Sequence, residues 1–429
     1  MNIIFLLIVL FAFGFAGWHQ LFWIPVEGQT APIEAVSKAM VESASGAVEL
    51  AIGLVGVMTL FLGLVKIAEA GGMLTILARL IRPLMVRLFP EVPPEHPAMG
   101  AMILNMSANA LGLGNAATPF GIRAMQELDK LNTQPGTATD AMALFLAINT
   151  SSVTLLPTGV IALRAAAGSL DPAGILPTTL FATMGSTVAA IAAAVFYRRF
   201  FTLKASRMTA TQHAAEPVAG EAEEIEVPPT GYPLWISLLA LGAVAALIPL
   251  AIYFGRTISP WILPALMVFF LVFGFLRRVH VYEVFVEGAK EGFQVAIRII
   301  PYLVAILVAV GMFRASGGLG AVVEWVGGWT AKVGLPAEAL PMAIMRPLSG
   351  SGAYGILASI INDPAIGPDS YTGYLVSTLQ GSTETTFYVM AVYFGAVQVR
   401  RIRHTLAAAL TADLFGLILA ILACKFLFG

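Results

Sequence analysis

A carboxylate flanked by hydroxyls can hold a cation or a proton. Glu384 has that setting in TLQGSTETTFYVM, residues 378–390, where Gln380, Ser382, Thr383 and Thr385 stand beside it. Three further stretches carry related chemistry. NMSANALGLGNAATPFG, residues 105–121, holds Asn105, Ser107, Asn109 and Asn115. NTSSVT, residues 149–154, holds Asn149, Thr150, Ser151 and Ser152, and RPLSGSGAYG, residues 346–355, holds Arg346, Ser349 and Ser351. Gly and Pro in such runs free backbone groups, and Ser, Thr and Asn satisfy either those groups or a polar ligand. A half-helix N-terminus favours an anion, an unwound carbonyl a cation.

The surroundings make these stretches informative. The 429 residues are 58% hydrophobic and 11% charged, with mean hydropathy +0.85, whereas a soluble protein is about a quarter charged. This is the composition of an integral membrane protein. A charged side chain at the bilayer centre costs about 2.5 to 3.5 kcal/mol on insertion scales, so it is retained where it faces a cavity, a partner or a proton path. Three roles therefore compete for Glu384: binding of a coupling ion or proton, an ion pair with Arg346, or simple protonation of a buried acid. For Ser, Thr and Asn the competing role is packing, through interhelical hydrogen bonds of about 0.6 to 2 kcal/mol each.

The elements that must position these residues follow from the apolar runs. A helix needs about 20 apolar residues to cross the bilayer core. Such runs lie near 3–23, 48–68, 175–197, 233–254, 259–277, 292–313 and 404–428, and the first reads as a retained spanning helix. Residues 97–122, 139–165 and 338–398 are apolar but interrupted, which predicts broken or re-entrant helices there. Residues 203–231 are rich in Ala, Glu and Pro without apolar period and read as a flexible cytoplasmic linker.

The linker separates two similar halves, 1–202 and 232–429. VESASGAVELAIGL (41–54) aligns with VEGAKEGFQVAIRI (286–299), and AGGML (70–74) with SGGLG (316–320) after a one-residue shift. Farther on, 102–114 falls opposite 343–355 and 148–157 opposite 380–389. Basic residues favour the cytoplasmic side. Lys66, Arg79, Arg82 and Arg87 follow the second span, whereas Arg277 and Arg278 precede its counterpart, so the related helices are expected to cross in opposite directions. Arg198, Arg199, Lys204 and Arg207 place the linker in the cytoplasm, and Arg400, Arg401 and Arg403 the start of the last span. The expected fold is an all-α polytopic helical bundle with two inverted-topology repeats, broken helices and re-entrant hairpins.

Several function classes have no support. Basic residues cluster at the ends of apolar runs and form no nucleic-acid patch. The single Cys424 permits no intrachain disulfide, and the five histidines stand in linkers or at helix ends, without metal-ligand spacing. The motifs GxxxxGK, HExxH and GxSxG are absent, and no histidine in the apolar core could activate Ser349 or Ser351. The chain reads as a non-enzyme without a cofactor, apart from a coupling Na+ or H+. Lys66, Glu69, Arg298 and Arg314 read as snorkelling residues at helix ends, and Asp363 and Asp369 as turn residues.

NMSANALGLGNAATPFGIRAMQEL (105–128) resembles the hallmark of spore maturation protein A, and PLSGSGAYGI with QGSTETTFYV resembles spore maturation protein B. The chain is thus similar to a fusion of the two, over roughly 1–200 and 232–429. Both belong to the group carrying the nucleoside-recognition, or Gate, domain, shared with concentrative nucleoside transporters and the membrane part of ferrous iron transport protein B. The resemblance implies a transporter-like architecture in a bacterial inner membrane and assembly as a homo-oligomer. Nucleoside transporters of this group carry a Gln, Thr, Glu signature in their first repeat, whereas the nearest likeness here, Ser382, Thr383 and Glu384, lies in the second half. The expected function is secondary transport or exchange of a small polar solute, nucleoside-like or ionic. The alternative is a non-transporting membrane component supporting envelope or spore-core maturation.

Overall fold

The computed structural model describes residues 2–25, 30–112, 114–201 and 231–429. The expected linker, apart from Gly231, lies outside them. The first half comprises α1 (Asn2–Leu21), α2 (Pro32–Ala70), α3 (Met73–Leu88), α4 (Pro97–Ala110), α5 (Gly114–Lys130), α6 (Asp140–Thr150), α7 (Thr158–Ala166) and α8 (Leu176–Tyr197). The second comprises α9 (Leu234–Leu276), α10 (Val281–Ala315), α11 (Gly318–Thr330), α12 (Leu340–Met345), α13 (Gly350–Ile361), α14 (Tyr371–Ser382), α15 (Thr386–Ala396) and α16 (Thr405–Phe428). Among the described residues there is no strand, only an isolated bridge between Thr137 and Arg401. This is a helical, multi-pass membrane protein. By length and composition α8 and α16 can each cross a bilayer, and α2 with α3, bent by 68°, supplies a third candidate span.

The element order of the first half recurs in the second. Helices break where polar, Gly-rich sequence interrupts the apolar runs: between α4 and α5, α6 and α7, α12 and α13, and α14 and α15. The bend from α2 to α3 and the one from α10 to α11 use the same device. Gly72 and Gly317 both hold the left-handed conformation at φ 81°, where a side chain would be strained.

One expectation is corrected. The runs 233–254 and 259–277 are not two spans but one unbroken helix, α9, of 43 residues. Helical hydrogen bonding carries through Arg256 and Thr257, because a polar side chain does not stop a helix whose backbone groups stay paired within the segment.

Order-equivalent helices pack against each other in opposite directions. A Cβ on Gly63 would lie 2.7 Å from the Phe285 ring, one on Gly292 would lie 2.7 Å from the Met58 carbonyl oxygen, and Gly311 meets Ser43. Positions on α2 thus fall as positions on α10 rise. The same holds for α8 and α16, where Gly185 meets Leu419 while the Tyr197 hydroxyl lies 3.3 Å from that of Thr411.

The buried cores mix the halves. One, around Met102, Met125 and Phe145, contains Val389, Met390 and Tyr393 of α15; the other, around Leu357 and Leu375, contains Val160, Ile161 and Leu163 of α7. Each half lends the helix after its second break to the other's core. Tyr393 occupies the notch left by Gly121 on α5, and Tyr354 on α13 occupies that left by Gly159 on α7.

Charged residues expected at helix ends and in turns take ionic partners, apart from Arg298, whose side chain lies outside the described residues. Arg314 lies 3.0 Å from Asp363, and Lys66 lies 3.4 Å from Glu69 and 3.1 Å from Glu291. Asp369 holds Arg164 at 3.0 Å. Arg164 is fully buried and also donates to the Pro368 carbonyl at 2.6 Å, to Ser377 at 3.3 Å and to Ser169 at 3.1 Å, with the Tyr374 ring 4.2 Å away. A buried charge needs such partners, and local sequence does not reveal them when they sit in the other half.

Candidate functional site

The four polar stretches meet at their helix breaks. The last turn of α6 ends at Thr150, leaving carbonyls without an intrahelical partner. The Glu384 N–H donates to the Thr150 carbonyl at 2.7 Å, which joins the break after α14 to the break after α6. Around this contact the connections are tied in the same manner in each half. The Leu155 N–H donates to the Ala110 carbonyl at the end of α4 at 2.9 Å, and the Phe387 N–H to the Pro347 carbonyl between α12 and α13 at 3.1 Å.

Two side-chain groups flank the crossing. Asn149 donates to the amide oxygen of Asn105, and Asn105 donates in turn to the Ala117 carbonyl at 2.7 Å and to the Tyr393 hydroxyl at 3.2 Å. On the other flank Arg346, 7% exposed, donates to Thr385 at 3.1 Å and stands 3.9 Å from the Glu384 carboxylate. The Glu384 side chain is 45% exposed. A long pair with a solvated partner is weak, so this carboxylate keeps capacity for a second cation.

Most of the other predicted residues fall into two groups. Ser107, Thr150 and Ser382 donate to carbonyls of their own helices, Ser151 and Ser152 to carbonyls of the α6 end that they follow, and Ser349 caps α13 by accepting from the Gly352 N–H at 3.1 Å. These hydroxyls serve the backbone. Asn109 Nδ2, Gln380 Oε1 and Arg346 Nε are buried without a hydrogen-bond partner, which leaves them capacity for a polar ligand. Thr383 is buried against the α16 position of Gly416, and Ser351 is half-buried on the first turn of α13. The side chain of Asn115 lies outside the described residues.

Sequence reasoning passed over Asp413. It lies on α16, is 9% exposed, and accepts from the Thr386 hydroxyl at 2.7 Å, directly beyond the break that carries Glu384. The signal that marks it is an ionisable residue inside the apolar run 404–428, a feature that points to function by default. Among the described residues no cluster of three His, Cys, Asp or Glu side chains forms. A cavity of about 630 Å3 opens between α2, α10 and α13, lined by Glu42, Ser43, Glu49, Arg314 and Asn362, away from the four stretches.

The sequence model of the family described as Gate, nucleoside recognition, matches residues 51–167 and 296–400. Over 159 residues, 37% of this chain, the sequence is 46% identical to spore maturation protein A of Bacillus subtilis (strain 168), covering 81% of that protein. Over 167 residues, 39% of this chain, it is 43% identical to spore maturation protein B of the same organism, covering 93% of it. Both are the relatives to which the sequence motifs point. No solved structure matches the chain.

Proposed function

The chain belongs to the nucleoside recognition, or Gate, family, and we propose that it is an inner-membrane secondary transporter or exchanger of a small polar solute, nucleoside-like or ionic. The observation that carries this reading is the hydrogen bond from Glu384 to Thr150, which brings together one helix break from each half. Transporters build their sites from such discontinuous helices, near the membrane midplane and at the interface of repeats. The antiparallel α2–α10 and α8–α16 seams support a reading of the halves as inverted repeats. In that arrangement Asn109, Gln380 and Arg346 contact the solute, the Asn105–Asn149 pair lines it, and Glu384 holds the coupling Na+ or H+. The sequence has no phosphate-binding loop, so the movement is driven by a gradient or is passive.

The first test is a thermal-shift screen of the purified protein against nucleosides, small anions, amino acids and Na+. A ligand at 100 times its Kd stabilises by about 2.7 kcal/mol. The solute found is then followed into proteoliposomes under an imposed gradient. Glu384→Gln abolishes gradient-driven uptake while the variant still purifies folded, and unchanged uptake rejects the assigned role.

A second reading keeps the chain as a non-transporting membrane component supporting envelope or spore-core maturation. The hydroxyls that bond to their own helices favour it, because they act in packing rather than in recognition. On this reading no solute stabilises the protein or crosses with it.

A further inference from the structure

We propose that Asp413 is a proton-carrying site whose occupancy is coupled to the α14–α15 break. The coupling rests on the transport reading; the protonation stands without it. Asp413 is the ninth residue of the 24-residue α16, about 12 Å along a helix rising about 1.5 Å per residue. Only 9% of it is exposed. One carboxyl oxygen, Oδ2, accepts from the Thr386 hydroxyl at 2.7 Å, and the other, Oδ1, is buried with no partner. Thr386 opens α15 immediately after Thr383, Glu384 and Thr385. One turn further along α16 a Cβ on Gly416 would lie 2.8 Å from the Thr383 methyl, and on the other side Ser186 of α8 donates to the Ala412 carbonyl at 2.8 Å. The acid is therefore wedged between α8 and the break.

The titratable groups on the elements packed against α16 have partners of their own: Asp140 of α6 pairs with Arg403 at 2.7 Å before the first turn of α16, Tyr197 of α8 stands against Thr411, Tyr374 of α14 stacks on Phe428 at the far end, and Tyr393 of α15 bonds Asn105. Arg346 is the charged group within electrostatic reach of Asp413, and it also faces Glu384. An ionised Oδ1 in this position has no donor, which is costly in a span. A proton taken from water onto Oδ1 removes that cost and leaves Oδ2 to accept from Thr386. An alkali cation would need several oxygen ligands, and one hydroxyl is the only side-chain oxygen at hydrogen-bond distance among the described contacts.

The test is infrared spectroscopy of the full-length protein in liposomes over a pH series, reading the C=O stretch of a protonated carboxyl group. The wild type and Glu384→Gln show a band that titrates, and Asp413→Asn lacks it. The Asn side chain still accepts from Thr386, so the variant keeps its fold, which circular dichroism checks. Thr386→Val retains the band and shifts its midpoint. An unchanged band in Asp413→Asn overturns the proposal, as does a Na+-dependent rise in Tm that this variant alone loses. If no solute moves under any gradient while the band titrates, the transport reading fails and the proton site stands. If a pH gradient drives uptake equally in Asp413→Asn, the coupling fails.

Discussion

The amide of Glu384 and the carbonyl of Thr150 lie 2.7 Å apart, although 234 positions separate them in the sequence. A main-chain bond at this point links the two breaks through groups that no side-chain substitution alters, proline excepted. It also gives the second half's acid a fixed place over the end of α6.

Replacing Glu384 by proline removes the donor and leaves the Thr150 carbonyl unpaired. An unsatisfied buried group costs about 1 to 3 kcal/mol. Glu384→Pro is expected to lower the Tm in detergent by more than Glu384→Gln, which keeps the N–H. Equal Tm values would show that the bond contributes little.

The α2–α10 seam makes a second prediction. A side chain at Gly292 meets the Met58 carbonyl oxygen and the Thr59 Cα, both at 2.7 Å, and these are backbone atoms that cannot turn aside. Gly292→Val is expected to destabilise by about 1 to 3 kcal/mol, the usual range for overpacking. Gly14→Ala, where nothing lies within 4 Å, serves as the neutral control. Thermal unfolding of the two variants in the same detergent decides.

The helix breaks and the pairing of polar stretches are readable in the sequence because the signal is local. Gly, Pro and hydroxyl residues inside an apolar run weaken the helix at the very point where they stand. The partners of charged side chains are not readable in this way. Asp369 looks like a turn residue until Arg164, 205 positions earlier, is placed beside it. Asp413 is hidden by the apolar run that surrounds it, and α9 reads as divided at Arg256 although its backbone continues. The exchange of α7 and α15 between the cores has no compositional mark, since both helices are apolar wherever they pack.

Accessibility separates a wet site from a packed one. In a Cys424→Ser background, a cysteine replacing Glu384 is expected to react readily with a small aqueous thiol reagent, because that side chain is 45% exposed. A cysteine replacing Ser382, 1% exposed, is expected to react slowly. Labelling rates read by mass spectrometry check the contrast, and equal rates would show that the break opens in solution.

Cleavage at a protease site inserted within residues 203–231 should leave the two fragments together. The α2–α10 and α8–α16 seams and both mixed cores span the cut. Co-elution of the fragments on size-exclusion chromatography in mild detergent is the expected result, and separation would show that the seams are weak.

The exchange of α7 and α15 sets an order on biosynthesis. The ribosome completes α4, α5 and α6 long before it reaches Tyr393, so the groove beside Gly121 stays unfilled while the rest of the chain is still being translated. Asn105 receives its phenol partner only when α15 arrives. A truncated or stalled product therefore presents an open groove to membrane quality control, and the polar crossing is among the last features to mature.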